Sequence, residues 1–208
     1  IATRISCASA NVDAQALHEA DIQCASGDVV VKHVGYAEIV VASGSIHLEH
    51  FKRAEVTQAS GDLIASNGDN AHVTGASGDA ALRDIQSVIV SVASGSVLAE
   101  QCDSASISTA SGDVSAIVTE SAEIRTASGD IRAEFQSEPT LLDMKSHSGS
   151  ITVTLPASSS IAVDARTTSG RIRVVGIDLE NIESGRRVLR GSHAGGEVPA
   201  KLKTVSGD

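Results

Sequence analysis

Apolar and polar residues alternate along most of this chain. This alternating pattern repeats every 17 residues, as the spacing of Gly27, Gly44 and Gly61 shows. Small aliphatic residues occupy the second and fourth positions after each recurring glycine, and again the tenth and twelfth. Alternation with a period of two is typical of strands that bury one face. The pattern therefore predicts two short strands, of roughly five residues each, in every repeat. Two of the apolar columns are Val29, Ile46, Leu63, Ala80, Val97, Val114, Ile131 and Ile22, Ile39, Val56, Val73, Val90, Ile107, Ile124.

An Ala-Ser-Gly-Asp or Ala-Ser-Gly-Ser corner closes each repeat. Glycine reaches backbone conformations that other residues avoid, and Asp or Ser can hydrogen-bond to nearby backbone, so the motif predicts a tight turn. The alanine is small in every copy, which predicts that it packs inward, close to the opposite strand. A second, variable bend is predicted near Gly35-Tyr36, Lys52-Arg53 and Asp103-Ser104. The corner glycines are Gly27, Gly44, Gly61, Gly78, Gly95, Gly112 and Gly129.

Two strands per repeat fit either a flat meander or a coil that stacks on itself. A meander would leave its aliphatic face in water, whereas stacked coils bury that face against the opposite strand of the same coil. We therefore predict an all-β, single-domain β-solenoid of about ten or eleven coils, a rod on the order of 50 Å long. Residues 1–137 are expected to form the regular 17-residue coils. Residues 138–208, where the spacing loosens, are expected to form longer, irregular coils of the same solenoid.

Composition narrows the choice of partners. The chain is 41% apolar, but only Tyr36, Phe51 and Phe135 are aromatic, so few rings are available for stacking on bases. The net charge of −10 argues against nucleic acid and anionic membranes as main partners. No apolar run approaches the roughly 20 residues of a membrane helix, so direct membrane insertion is not expected. Because the chain opens at Ile1 and stops at Asp208 inside a corner motif, we expect a fragment of a longer protein.

The corners carry a family resemblance. Ala25-Ser-Gly-Asp28 through Ala127-Ser-Gly-Asp130, together with the later copies Ser148-Gly-Ser150 and Thr168-Ser-Gly170, resemble a bacterial β-strand-repeat family of unknown function whose members are labelled as adhesins. The resemblance covers essentially the whole chain. It implies a protein that is attached to the bacterial cell envelope or secreted, although some members look cytoplasmic. It implies no catalytic residues, so none is assigned here.

Five corner acids form the candidate binding column of this sequence. Stacked coils would place them along one edge of the rod, where they could bind a partner. A calcium ladder is an alternative, because hard cations take several oxygen ligands. The favoured interpretation is that each acid closes its own turn in solvent, so neither a metal site nor a cofactor is predicted. The five residues are Asp28, Asp62, Asp79, Asp113 and Asp130.

Histidines and cysteines give weaker signals. His33 and His50 share a column, but His47 and His50 point to opposite faces of a regular strand, which argues against a zinc site. Cys7 and Cys24 also share a column, and neighbouring rungs lie within disulfide reach. Free thiols are favoured for this pair because its column also holds aliphatic residues, and the third cysteine, Cys102, has no partner in either interpretation.

Three functions remain open at this point. The sequence lacks a Gly-x-Ser-x-Gly elbow and a phosphate-binding Gly-Lys-Ser/Thr loop. A non-catalytic repeat scaffold, acting as an adhesin or as an interaction module of the cell envelope, is therefore favoured. A polysaccharide-acting β-helix enzyme and a sensor module fused to a further segment are the alternatives. The expected partner is a protein or a cell-surface component, and end-to-end or side-by-side self-association is a further expectation.

Overall fold

The computed structural model describes residues 2–169, 172–184 and 187–206, and it is an all-β solenoid of about ten turns. The predicted fold class is therefore confirmed. Among the described residues there is no helix of the length and apolarity needed to cross a membrane. The first strands are β1 (Ala2–Ser9), β2 (Val12–Ser26), β3 (Val29–Ser43), β4 (Ile46–Ser60), β5 (Leu63–Ser77), β6 (Ala80–Ser94), β7 (Val97–Ser111) and β8 (Val114–Ser128). The others are β9 (Ile131–Phe135), β10 (Leu141–Ser148), β11 (Ile151–Thr154), β12 (Ile161–Ser169), β13 (Ile172–Val175), β14 (Glu180–Ser184), β15 (Val188–His193) and β16 (Val198–Ser206).

Each coil from β2 to β8 is a single bent strand of 15 residues, not two separate strands. In six of these coils the bend is made by one residue with a left-handed backbone, for example His33 and His50 at φ 56° and 57°. Residues on both sides of the bend stay in register, as the pairings of Lys32 with Glu49 and of Val34 with Phe51 show. The second bend therefore lies two to three residues before the predicted positions, because one left-handed residue redirects the chain without interrupting the ladder.

The regular coils pair with their neighbours in one constant register, and all of these pairings are parallel. Val29 lies beside Ile46, and Ile46 lies beside Leu63, so each predicted inward column stacks on itself. These columns form one continuous core of buried aliphatic side chains. Small residues suffice because the two halves of each coil lie close together. The scarcity of aromatic residues follows from this thin cross-section.

Phe51 shows how the core of the middle coils accommodates a buried aromatic ring. It lies beside Gly68 of the next coil and is buried at 4% exposure. A Cβ atom at Gly68 would overlap the ring of Phe51. The missing side chain on one coil therefore makes room for the ring on its neighbour, which keeps the packing dense.

The corner alanines face solvent, which corrects the prediction that they pack inward. Ala42 and Ala93 are exposed, whereas the residues before them, Val41 and Val92, are buried. Strict alternation reaches as far as the corner and places the alanine on the outer side. The corner must instead be small at Gly95, where φ is 131° and a Cβ atom would overlap the carbonyl oxygen of Gly78 on the previous coil.

The last strands do not stack in chain order. The two halves of β8 are covered by β9 and β10 respectively, and β9 is followed by β11 and β13 on that side. On the other side β16 lies between β10 and β12, parallel to both. Ala200, Leu202 and Thr204 of β16 are buried there. Strand β15 pairs antiparallel with the free edge of β12, and β14 pairs with β15.

Cys7 and Cys24 form a disulfide, with Cα atoms 4.8 Å apart on neighbouring rungs. The prediction that these thiols are free is therefore wrong. Pairing in a column brings the two side chains together, and aliphatic residues at later positions of that column do not prevent the bond. The disulfide fastens β1, the first described strand, to β2.

Candidate functional site

The corner acids form a hydrogen-bonded ladder along one edge of the rod. Oδ1 of Asp79 accepts the backbone N–H of Ser96 on the next coil at 2.8 Å, and Asp79 donates its own N–H to Oδ1 of Asp62 at 3.0 Å. Asp28, Asp113 and Asp130 each accept a backbone N–H of the following coil in the same way. All five predicted site residues therefore help to hold one coil to the next.

The ladder is interrupted where the corner residue is serine. Within residues 2–169, no side-chain oxygen of Ser45 accepts the N–H of Asp62, and none of Ser96 accepts that of Asp113. Asn11 does take part, because its Oδ1 accepts the N–H of Asp28 at 3.0 Å. An amide oxygen thus replaces a carboxylate oxygen, so the bond requires an acceptor at this position and not a charge.

The same acids give little support to a metal ladder. One oxygen of each carboxylate is already engaged by backbone, and Ca²⁺ takes six to eight oxygen ligands. In the part of the chain that the structure describes, no group of three or more His, Cys, Asp or Glu side chains is arranged to hold a metal ion. The acids are nevertheless exposed, so their charge is available to a partner.

A groove of about 640 Å³ runs beside this edge and contains four of the five acids. Its floor is formed by outward residues of successive coils, among them Ile64, Ala81 and Leu98. Ile64 is 47% exposed, which is high for an isoleucine. The groove therefore has an acidic rim and a floor that is aliphatic in its first half and polar in its second, at Ser115, Arg132 and Thr152. The rim acids are Asp62, Asp79, Asp113 and Asp130, whereas Asp28 lies outside the groove.

A second groove, of about 760 Å³, lies on the other side of the corner. One outward column of side chains lines this groove, and along the groove its residues change from hydroxyl side chains to cations. Arg125, Lys145 and Lys203 lie on the neighbouring strands β8, β10 and β16, and Arg166 follows on β12. The sequence pattern does not predict this column, because Lys203 reaches it only through the insertion of β16. The hydroxyl residues are Thr74, Ser91 and Ser108.

Acids two positions earlier neutralise most of these cations. Arg125 pairs with Glu123, Lys145 with Asp143, and Arg166 with Asp164. The hydrogen bond from Arg166 lowers the pKa of Asp164 below its ordinary value. Strand β16 differs, since two lysines, Lys201 and Lys203, occupy the equivalent positions. Among the described residues neither lysine has an acidic partner within 4.0 Å.

The remaining candidate residues, which are histidines and Cys102, do not lie together in one site. The rings of His33 and His50 stack with centroids 4.7 Å apart, and Nδ1 of His50 lies 3.7 Å from Glu49. His47 is on the same strand but belongs to a different outward column. Burial raises the pKa of the Cys102 thiol to about 11, so this cysteine is poorly nucleophilic.

The comparisons with known proteins agree with this architecture. A family model described as Toastrack DUF4097 matches residues 67–208. The chain belongs to the Toastrack family. This match confirms the resemblance of the corner repeats to a β-strand-repeat family of unknown function, and a β-solenoid is the Toastrack fold. No curated protein and no solved structure gives a significant match to the chain. The adhesin label is not part of the Toastrack description.

Proposed function

We propose that this Toastrack chain is a non-catalytic scaffold that works in an oxidising compartment, attached to the cell envelope or outside the cell, and binds a surface protein along its acidic groove. The ladder is the observation that supports this most directly. The acids that line the groove are already engaged in holding the coils together, so none is set aside as an acid or base. General acid–base catalysis requires a group within reach of substrate and free to exchange its proton.

The disulfide supports the proposal that the chain works in an oxidising compartment. Disulfides persist in secreted proteins and in the bacterial periplasm, and are rare where thiols are kept reduced. Cys7 and Cys24 are bonded across neighbouring rungs, with Cα atoms 4.8 Å apart. An envelope-attached or secreted protein would therefore retain the bond that fastens β1.

The groove indicates the chemistry of the partner. The aliphatic half of its floor, with Ile64, Ala81 and Leu98, suits aliphatic side chains, and its rim of carboxylates suits cations. An extended segment that alternates basic and aliphatic residues meets both demands. Contacts would be distributed over several coils, since the rim acids lie on four different coils.

Binding of a synthetic peptide that alternates lysine and valine tests the proposal, with a glutamate–valine peptide as the comparison. We expect the lysine peptide alone to bind, and the double substitution Asp62→Asn/Asp79→Asn to weaken it severalfold. Asparagine keeps the ladder acceptor, as Asn11 does, so the fold is retained. The matched control Glu19→Gln/Glu38→Gln removes the same charge from another face. Equal weakening by both double substitutions would show nonspecific attraction and contradict the groove.

An enzyme assay separates the scaffold from its main alternative, a polysaccharide-acting enzyme. We expect no hydrolysis or elimination on a panel of anionic and neutral polysaccharides, with or without Ca²⁺. Loss of one carboxylate from an acid–base pair typically lowers a rate by 10²–10⁴-fold. Turnover of any panel member that Asp113→Asn alone abolishes would therefore overturn the scaffold proposal.

A further inference from the structure

The second groove differs from the acidic groove in the charge of the residues that line it. None of the described residues that line it is an aspartate or a glutamate, whereas four aspartates line the acidic groove. It follows six consecutive strands of the stack, from Thr74 on β5 to Lys203 on β16, or roughly 24 Å at 4.8 Å per strand. Although the whole chain has a net charge of −10, this groove is therefore locally cationic.

Four consecutive strands place a cation in the same outward column at one end of this groove. Three of the cations line the groove, and Arg166 continues the column one strand further. Like charges side by side on neighbouring strands repel one another, so an anion held between them would relieve an unfavourable contact. The side chains of Arg125 and Lys145 are 50% and 44% exposed, so an anion can reach them. We refer to the four residues as the cation column: Arg125, Lys145, Lys203 and Arg166.

The acidic partners of three of these cations lie away from the groove. Glu123, Asp143 and Asp164 each precede their cation by two positions, in a separate outward column, and none of the three lines the groove. Arg125 donates to Glu123 from Nη2, and a guanidinium has five N–H donors in all. Lys145 donates to Asp143 through an ammonium group that has three. The paired cations therefore retain donors for a second anion.

Lys203 is the member of the column with the least neutralised charge. It lies between Lys145 and Arg166 in the cation column, and among the described residues it has no acidic partner within 4.0 Å. Lys201, on the same strand, also lacks such a partner, but it lies outside the groove, between an aspartate on β10 and one on β12. An anion in the groove should therefore depend on Lys203 and not on Lys201.

The rest of the groove is lined by hydroxyl groups and short side chains. Hydroxyls can donate to and accept from the hydroxyl groups of a sugar. Among the described lining residues there is no phenylalanine, tyrosine or tryptophan, so nucleic-acid bases have nothing to stack on and a peptide has no aromatic anchor. These features favour a polysaccharide over the other anionic polymers. The exposed hydroxyl residues are Thr74, Ser91 and Ser108, and the exposed alanines are Ala93, Ala110 and Ala127.

We propose that the second groove binds a linear polysaccharide whose sugar residues carry carboxylate groups. Its carboxylates lie on the cation column, and its hydroxyl groups lie against the serines and threonines. One sugar residue of an extended chain is about as long as the strand spacing of ~4.8 Å, so successive carboxylates come within reach of successive cations. The polysaccharide is bound and not cleaved, because glycosidases use a pair of carboxyl groups and the described lining residues include none. This site is independent of the acidic groove.

Binding of uronic acid hexamers tests the proposal. Titration calorimetry at low ionic strength should detect binding of a hexamer of galacturonic or mannuronic acid, weakening as salt is added. The methyl-esterified hexamer, which has the same sugars without the charge, should bind far more weakly. Lys203→Gln should weaken binding about fivefold, as expected for one exposed ion pair. Lys201→Gln, the matched control, removes the same charge from the same strand outside the groove and should have less than about half of that effect.

A carboxylate added inside the groove gives a second, opposite test. Ser108→Glu places it in line with the cation column and should weaken binding, whereas Ser106→Glu, two positions away and outside the groove, should change binding little. Both serines are exposed, so circular-dichroism spectra of the two variants should match that of the wild-type chain.

Several results would overturn the proposal. Failure of the wild-type chain to bind either acidic hexamer would do so, as would equal weakening by the two lysine substitutions, which indicates nonspecific attraction. Binding of the methyl-esterified hexamer as tightly as the acid would remove the role of the carboxylates. A hexaglutamate peptide or a single-stranded oligonucleotide that binds more tightly than both hexamers would assign the groove to that class of polymer instead.

Discussion

The carboxylate of Asp62 accepts a hydrogen bond from the backbone N–H of Asp79, 3.0 Å away on the next coil. Asp79 repeats the arrangement with Ser96. Asp79→Ala should therefore lower the free energy of unfolding by about 1 kcal/mol, because one N–H at the corner loses its acceptor. Asp79→Asn should be nearly neutral, since Asn11 plays the same part in the first corner. Urea denaturation of the two variants measures the difference.

A substitution at Ser96 that adds a hydrogen-bond acceptor is the counterpart of this experiment. Ser96→Asn would supply an acceptor for the N–H of Asp113 and should stabilise the chain by up to about 1 kcal/mol. Ser115→Asn, on the outward face beside it, serves as the control and should change little. Equal stability of Asp79→Ala and Asp79→Asn would mean that the ladder contributes nothing.

The corner glycine and the corner alanine should respond in opposite ways. Gly95→Ala places a Cβ atom against the carbonyl oxygen of Gly78 in a backbone region that is nearly restricted to glycine, and should cost roughly 3 kcal/mol or more. Ala93→Leu points into solvent and should change the melting temperature by little. A larger loss for Ala93→Leu would mean that the exposed and buried sides of the corner are reversed.

Register can be tested by deletion. Removing the segment from Asp79 to Gly95 takes out one whole coil and joins equivalent positions, because neighbouring coils pair in a constant register. This variant should fold into a shorter rod. Removing only the first half of that segment, from Asp79 to Gln86, puts inward side chains opposite outward ones and should prevent cooperative folding. Circular-dichroism melts compare the two, and indistinguishable transitions would contradict the stacked coils.

Thiol counting tests the disulfide. Without reductant, the folded chain should show no reactive thiol and the denatured chain should show one, Cys102, which is buried in the folded protein. Denaturation with reductant should expose all three cysteines. Two reactive thiols in the folded, unreduced protein would mean that Cys7 and Cys24 are not bonded. Reduction should also accelerate amide exchange in β1 before the other strands, because β1 is fastened to β2 by this bond.

His193 should make the last strands sensitive to pH. Its two ring nitrogens lie 2.6 Å and 2.9 Å from the carbonyl oxygens of Asp178 and Ala157, so only the protonated ring can donate to both. These two contacts raise the pKa of His193, and the nearby acids Glu180 and Asp178 raise it further. The stabilisation is therefore complete below the ordinary histidine pKa of about 6.5 and is lost as pH rises through the raised value.

Amide exchange in β15 at a series of pH values measures this effect, after correction for the intrinsic exchange rate. Protection should fall on the alkaline side in the wild-type chain. His193→Gln should remove that dependence, and His147→Gln, on β10, should retain it. A wild-type protection profile without pH dependence would contradict a role for the protonated ring.

The periodic part of the molecule could be predicted because like residues stack on like. Val29, Ile46 and Leu63 occupy one column in the sequence and one column in the core. The alanine of the corner was misjudged because its size suggested a tight site, whereas the alternation through Val41 places it outside. The redox state of Cys7 and Cys24 could not be read from spacing, which permits a bond without requiring one.

The position of β16 was beyond the reach of the sequence pattern for a different reason. Its residues Leu202, Thr204 and Ser206 fit the same columns as every other rung, so periodicity alone cannot choose its neighbours. The choice depends on the path through β13, β14 and β15. The cation column and the two lysines of β16 depended on that choice, so the sequence pattern alone did not predict them.

Insertion of β16 also sets an order of events during synthesis. The coils from β2 to β8 join partners only one coil away in sequence, so each can dock as it leaves the ribosome and extend the rod by local steps. The slot between β10 and β12 is different, because Leu142 must wait for Ala200, which is synthesised several coil lengths later. Pairings so distant in sequence form slowly. A nascent chain therefore holds an unfilled gap beside a finished rod until residues 198–206 arrive, and this end is where chaperones would be expected to act.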